Sequence, residues 1–129
     1  MDINNQLKKT TVLLILISLS SCYNQERNCK DFKTGTFEFV QEINGKETRS
    51  VFERKDDIQI ETFNGKTDTA SVRWINDCEF VLQKLHPKNM MEKKAIGMKI
   101  LTTNEKGYTF EYGFVGDAKK QRGTVTKID

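Results

Sequence analysis

The sequence predicts an all-β domain, an antiparallel meander of about eight strands closing into an up-and-down barrel. Turn signals recur at intervals of about 8 to 12 residues, the spacing of a sandwich or barrel. Between them apolar and polar side chains alternate, the period of a strand with one dry and one wet face. Roughly 108 residues follow position 21, close to the commonest size for one domain, and closure would remove the exposed sheet edges of so short a meander.

A first strand over 35–43 places Phe37 and Phe39 on one face and Glu38 on the other. Asn44-Gly45 then favours a type I′ hairpin turn, because both residues tolerate positive φ, and leads into a strand over 47–55. Lys55-Asp56-Asp57 precedes a strand over 58–64 in which Ile58 and Ile60 share a face against Gln59 and Glu61. A second Asn-Gly pair, Asn64-Gly65, opens a strand over 68–75 with Ala70, Val72 and Trp74 on one side and Arg73 on the other. After Asn76-Asp77, Cys78, Phe80 and Leu82 alternate with Glu79 and Gln83 over 78–85. The long connection from His86 to Lys93 holds the only proline and the only histidine, and Pro87 suits the start of a helical turn. Ile96, Met98 and Ile100 mark a strand over 94–103, with Lys99 on its wet face. Asn104 to Gly107 lead into 107–115, where Tyr108, Phe110, Tyr112 and Phe114 alternate with Glu111. Gly116-Asp117 precede the last strand, over 120–128.

Ahead of this domain stands an export signal. Lys8 and Lys9 precede the apolar run from Val12 to Leu19, which is long enough for a signal peptide and too short to span a bilayer. Leu19-Ser20-Ser21-Cys22 resembles the lipobox of bacterial lipoproteins. That resemblance implies a signal peptide over 1–21 and a diacylglyceryl thioether on Cys22, with further acylation such as palmitate on the new amine. Two or more chains would anchor the protein firmly to the membrane without spanning it. Residues 22–33 then read as the lipidated N-terminus and a polar tether, and 34–129 as the barrel domain. Tyr23 to Arg27 lack the acidic run that resembles a surface-export signal in lipoproteins of Bacteroidota type, which favours an outer-membrane anchor facing the periplasm.

The compartment bears on the cysteines. With Cys22 lipidated, Cys29 and Cys78 remain in an oxidising space, where a disulfide is the expected state; an unpaired, buried Cys78 with a free Cys29 is the alternative. Taking Lys8, Lys9 and Asp2 from 21 basic and 18 acidic side chains leaves 19 and 17, a balance of +2 with the signs interspersed. Such a balance gives no long-range field for a nucleic-acid backbone.

Catalytic signals are weak. His86 has no second histidine or cysteine at ligand spacing, so neither a metal site nor a cofactor is expected. Nucleophile-elbow, phosphate-loop and dinucleotide motifs are missing, and the many carboxylates suit the wet face of a sheet. Asp56-Asp57 reads as turn chemistry rather than a calcium cage. Lys88, Lys93, Lys94, Lys119, Lys120 and Arg122 read as a solvated rim rather than a headgroup patch. Asp68-Thr69-Ala70 resembles the three-residue O-glycosylation signal of Bacteroidota, which would modify Thr69.

Gly35-Thr36-Phe37 at the head of the first strand, with Arg122 in the last, resembles the lipocalin and calycin group, where Gly-x-Trp opens the barrel and an arginine packs over the aromatic ring. Phe37 replaces the tryptophan, which leaves an open meander as the alternative to a closed barrel. The stretch from Trp74 to Leu82, with Tyr108 to Gly113, also resembles small uncharacterised lipoproteins of Bacteroidota. Within such a barrel Phe37, Trp74, Phe80, Phe110, Tyr112 and Phe114 either line a ligand cavity or fill the core. Rings this bulky in so short a chain favour filling, and hence a monomeric, non-catalytic module that meets an envelope partner through its outer face or the 86–93 loop. The other class is a holder of a small apolar or amphipathic ligand. A continuous void of about 300 Å³ or more beside the rings discriminates the two.

Overall fold

A computed structural model describes residues 26–129. The signal segment and Cys22 lie outside the described residues. Eight strands follow in chain order: β1 (Gly35–Ile43), β2 (Lys46–Arg54), β3 (Ile58–Phe63), β4 (Lys66–Asn76), β5 (Glu79–Lys84), β6 (Ile96–Thr103), β7 (Gly107–Phe114) and β8 (Gln121–Lys127). Each is antiparallel to the next, and β1 pairs back onto β8 through Phe37 to Lys127, Glu38 to Thr126 and Phe39 to Val125. The result is the closed up-and-down barrel that the pattern predicts, with every boundary within two residues of expectation.

The two Asn-Gly pairs turn as their chemistry requires. Asn44 and Gly45 have φ of 53° and 76°, Asn64 and Gly65 of 49° and 74°, the left-handed conformation at both central positions of a type I′ turn. These turns and the β5–β6 and β7–β8 connections stand at one end of the barrel, its mouth. Past Pro87 the chain makes a turn over residues 90–93 rather than a helix. The Asn89 side chain accepts from the Glu92 N–H, and the Lys94 N–H reaches the Met91 carbonyl.

The opposite end is plugged. Residues 29–33, expected as part of the tether, instead carry a 3₁₀ helix, Cys29–Phe32, with Cys29 and Phe32 buried. Phe32 supplies an apolar anchor, and a disulfide joins Cys29 to Cys78 with the Cα atoms 5.2 Å apart. The core gathers here from Phe32, Phe37, Phe52, Ile100, Tyr108, Phe110 and Val125.

At the centre of the plug is Arg54, 1% exposed. Its Nε donates to the Lys33 carbonyl at 3.2 Å, Nη1 to Gln59 Oε1 at 3.2 Å, and Nη2 to the Phe32 carbonyl at 2.7 Å and the Tyr108 hydroxyl at 3.0 Å. Its guanidinium carbon stands 4.6 Å from the Phe80 ring centre and 4.7 Å from Phe37, with Phe52, Trp74 and Tyr108 within 6 Å. Five aromatic faces and four neutral acceptors thus replace the water the cation loses on burial. The arginine over Phe37 is therefore Arg54 of β2. Arg122 does not fill that place: it points outward beside Glu111 at 3.7 Å, because Gly123 and Val125 take the inward positions of β8.

Candidate functional site

Alternation continues inward from the plug toward the mouth, but the inward set changes character. Phe37 and Phe52 face each other across the β1–β2 ladder near the plug, while Phe39 faces Ser50 one step further on. Gly123 faces Phe110, and a side chain there would collide with Phe39 and Phe110 at 2.8 Å, so both rings press close against a glycine in the wall. Small residues on β2 and β8 thereby leave the upper half of the barrel hollow. A cavity of about 360 Å³ opens there between Phe39, Ser50, Phe52, Met98, Tyr108, Phe110 and Tyr112, with Arg54 and Gln59 at its floor and Ile43 and Phe63 at its rim. A second space of about 270 Å³ adjoins it across Gln59, Glu61, Leu82 and Ile96, beneath Met91 of the β5–β6 loop. A larger hollow beside Gly35 and Asp56 is a polar groove open on the outer surface.

Of the aromatic residues expected at a cavity, Phe110 and Tyr112 line the larger space and Phe114 the smaller. Phe37, Trp74 and Phe80 do not reach either, because Arg54 draws them into the plug. The β3 strand departs from expectation more sharply. Ile58 and Ile60 face outward, and Gln59 and Glu61 face the interior, since Gln59 pairs with Arg54 and Glu61 with Phe52. The hydrogen bond from Arg54 to Gln59 holds that register. Gln59, buried, and Glu61, exposed, are therefore set into a largely apolar wall, and hydropathy alternation alone counts both as wet-face residues.

Glu61 borders both spaces. Desolvation by the surrounding protein raises its carboxyl above the ordinary glutamate value, with Lys84 opposing and Asp68 adding to the rise. Lys84 itself is committed to Asp68 at 2.9 Å and to Glu92 at 3.2 Å, tying the β5–β6 loop to β4. The Lys84 hydrogen bond lowers Asp68 below its usual range, and the Lys88 N–H does the same for Glu92. Stabilisation from these two acids is present above their unfolded values and lost only as the pH falls through the lower folded ones. Glu61 behaves oppositely: its cost is full above its raised value and disappears below the ordinary one. A Glu61→Gln variant is accordingly expected to melt at a higher temperature than the parent at pH 7, with the difference vanishing by about pH 4; a lower melting temperature at neutral pH contradicts the desolvation account.

Thr69 lies half-buried within β4, its backbone N–H bonded to the Asp68 carboxylate. His86 is exposed in the β5–β6 connection. Lys88, Lys93, Lys94, Lys119 and Lys120 stand in the two connections at the mouth, and Lys94 lies 5.3 Å from the Phe114 ring centre. Compared with family models, with curated proteins and with solved structures, this chain matches none of them.

Proposed function

We propose that this protein is a lipid-anchored, non-catalytic envelope protein whose barrel holds a small ligand with an apolar body. The observation that carries the reading is the cavity of about 360 Å³ beside Phe39, Phe110 and Tyr112. Its size falls within the range of small-molecule sites, and its wall has the corresponding make-up, apolar and aromatic with a few placed polar groups. This shifts the preference from the interaction module to the ligand holder. A filled core was expected because the rings are bulky, and in the plug they do pack that way; Ser50 and Gly123 keep the mouth half open.

Native mass spectrometry of the protein isolated from its own envelope tests the reading. A stoichiometric small-molecule adduct that dissociates on denaturation is expected. Ser50→Leu, which pushes an isobutyl group into the cavity, should fold and lose at least about tenfold in ligand occupancy. Ligand-free protein from the envelope, or a Ser50→Leu variant with undiminished occupancy, rejects the proposal.

The anchor is part of the same proposal: Cys22 carries lipid in the outer membrane and the domain faces the periplasm, a monomer without nucleic-acid partners. The chain enters the barrel at the plugged end, where Arg27 Nη1 donates to the Ile100 carbonyl and the Asn28 N–H to Thr103 Oγ1. The described chain thus begins at the end opposite the mouth, which supports exchange with the periplasmic space rather than with the anchoring leaflet. Cys22→Ala should abolish incorporation of labelled palmitate and release the domain from the membrane fraction. Retained label and membrane fractionation overturn the anchoring claim.

The second reading, an interaction module, rests on Met90 and Met91, which are exposed on the β5–β6 loop. Methionine side chains adapt to varied partner surfaces.

A further inference from the structure

Most of the cavity's charged side chains are engaged within the protein, and one carboxylate is not. Arg54, at the cavity floor and 1% exposed, gives four of its five N–H groups to Lys33, Gln59, Phe32 and Tyr108. Lys84 is held between Asp68 and Glu92, which in turn accept from the Thr69 and Lys88 N–H groups. Lys94 lies on the Phe114 ring at the rim. Among the described residues, Glu61 is the one acid of the cavity with no hydrogen-bond or ion-pair partner; it is exposed to solvent and borders both spaces where they adjoin.

We infer that the ligand is an amphipathic amine, its cationic head seated on the Glu61 carboxylate and its apolar chain lying against Phe39, Met98 and Phe110. This rests on the cavity being a ligand site. An ammonium group brings positive charge and several N–H donors to a carboxylate that lacks both, and charge-assisted bonds of this kind are roughly twice as strong as neutral ones. A carboxylate head would meet like charge at Glu61, while Arg54 and Lys84 are largely taken up by protein acceptors and Lys94 lies on the Phe114 ring. A neutral alcohol would make one hydrogen bond without the charge. Counting the acids and lysines around the smaller space gives the same preference: Glu61, Asp68 and Glu92 face Lys84 and Lys94, one negative charge in excess. The desolvation that raises Glu61 is relieved when an ammonium pairs with it.

Decylamine, decanol and decanoate share one chain length and differ in the head, and their binding to the full mature protein can be measured by titration calorimetry. The amine is expected to bind about tenfold more tightly than the alcohol, and the acid more weakly than either. Glu61→Gln keeps the shape of the side chain and removes its charge. It should bring the amine down to the affinity of the alcohol while leaving the alcohol unchanged, and Ser50→Leu should weaken all three. Alcohol or acid binding as tightly as the amine in the parent protein overturns the amine assignment and leaves the cavity reading standing. An amine preference that survives in a folded Glu61→Gln variant overturns it in the same way. If none of the three binds, the cavity reading and the amine assignment fall together.

Discussion

Replacing Arg54 with methionine is expected to destabilise the domain by about 3 to 5 kcal/mol, because several buried acceptors lose a charged donor at about 1 to 3 kcal/mol each before the site relaxes. Methionine fills much of the volume but donates nothing, so the carbonyls of Phe32 and Lys33, the Gln59 amide oxygen and the Tyr108 hydroxyl all lose a buried donor. Five rings also lose the cation they surround. For a domain of this size the melting temperature should fall by roughly 15 °C or more. Arg54→Lys should recover little, since one ammonium on a flexible stem cannot reproduce a planar fork that reaches four acceptors in different directions. Tyr108→Phe removes one acceptor only and should cost about 1 kcal/mol. Burial already holds the Tyr108 phenol above its ordinary value, so it remains a neutral partner across the working pH range. Urea unfolding of the parent and three variants gives the ranking, and an Arg54→Met variant within about 1 kcal/mol of the parent removes Arg54 from the centre of the account.

The second large effect belongs to the disulfide. Cys29 and Cys78 are separated by 49 residues, and closing a loop of that length in the unfolded chain corresponds to about 4 kcal/mol of stability. The bond also pins the 3₁₀ helix over the plug, so its loss should loosen the segment that supplies the Phe32 and Lys33 carbonyls to Arg54. A Cys29→Ser, Cys78→Ser double variant should therefore lose about 4 kcal/mol in urea unfolding. In hydrogen exchange it should show faster exchange at the Asp31 and Lys33 amides, which bond within this segment to Asn28 and Lys30. Mutating both the disulfide and Arg54 should cost less than the sum of the separate changes, because each removes part of the same plug. Unchanged urea midpoints in the double cysteine variant refute the stabilising role.

Much of the fold was legible along the chain. Asn44-Gly45 and Asn64-Gly65 named their own turns, because few residue pairs tolerate two successive positive φ angles. Alternation in β4 to β7 located the strands and their shared faces, and the observed pairing of Cys29 with Cys78 agrees with the expectation drawn from an export signal and a low cysteine count. The amino-acid sequence by itself thus determined the class of fold, the hairpin register and the covalent tie. The first two are local properties, set by backbone sterics and by a period of two.

Tertiary structure decided which face of each strand looks inward, and that is where the candidate site was hidden. In β3 the apolar choice, Ile58 and Ile60 inward, is overruled: Gln59 must meet Arg54, and its neighbour on that face, Glu61, is carried into the cavity. Nothing near Arg54 in the sequence announces that its other acceptors are Phe32, Lys33 and Tyr108, up to 54 residues away. A period of two tells which side chains share a face and is blind to which face closes around the core. Only the closed ladder from β1 to β8 makes that choice, and with it leaves a hollow above the plug and a carboxylate in its wall.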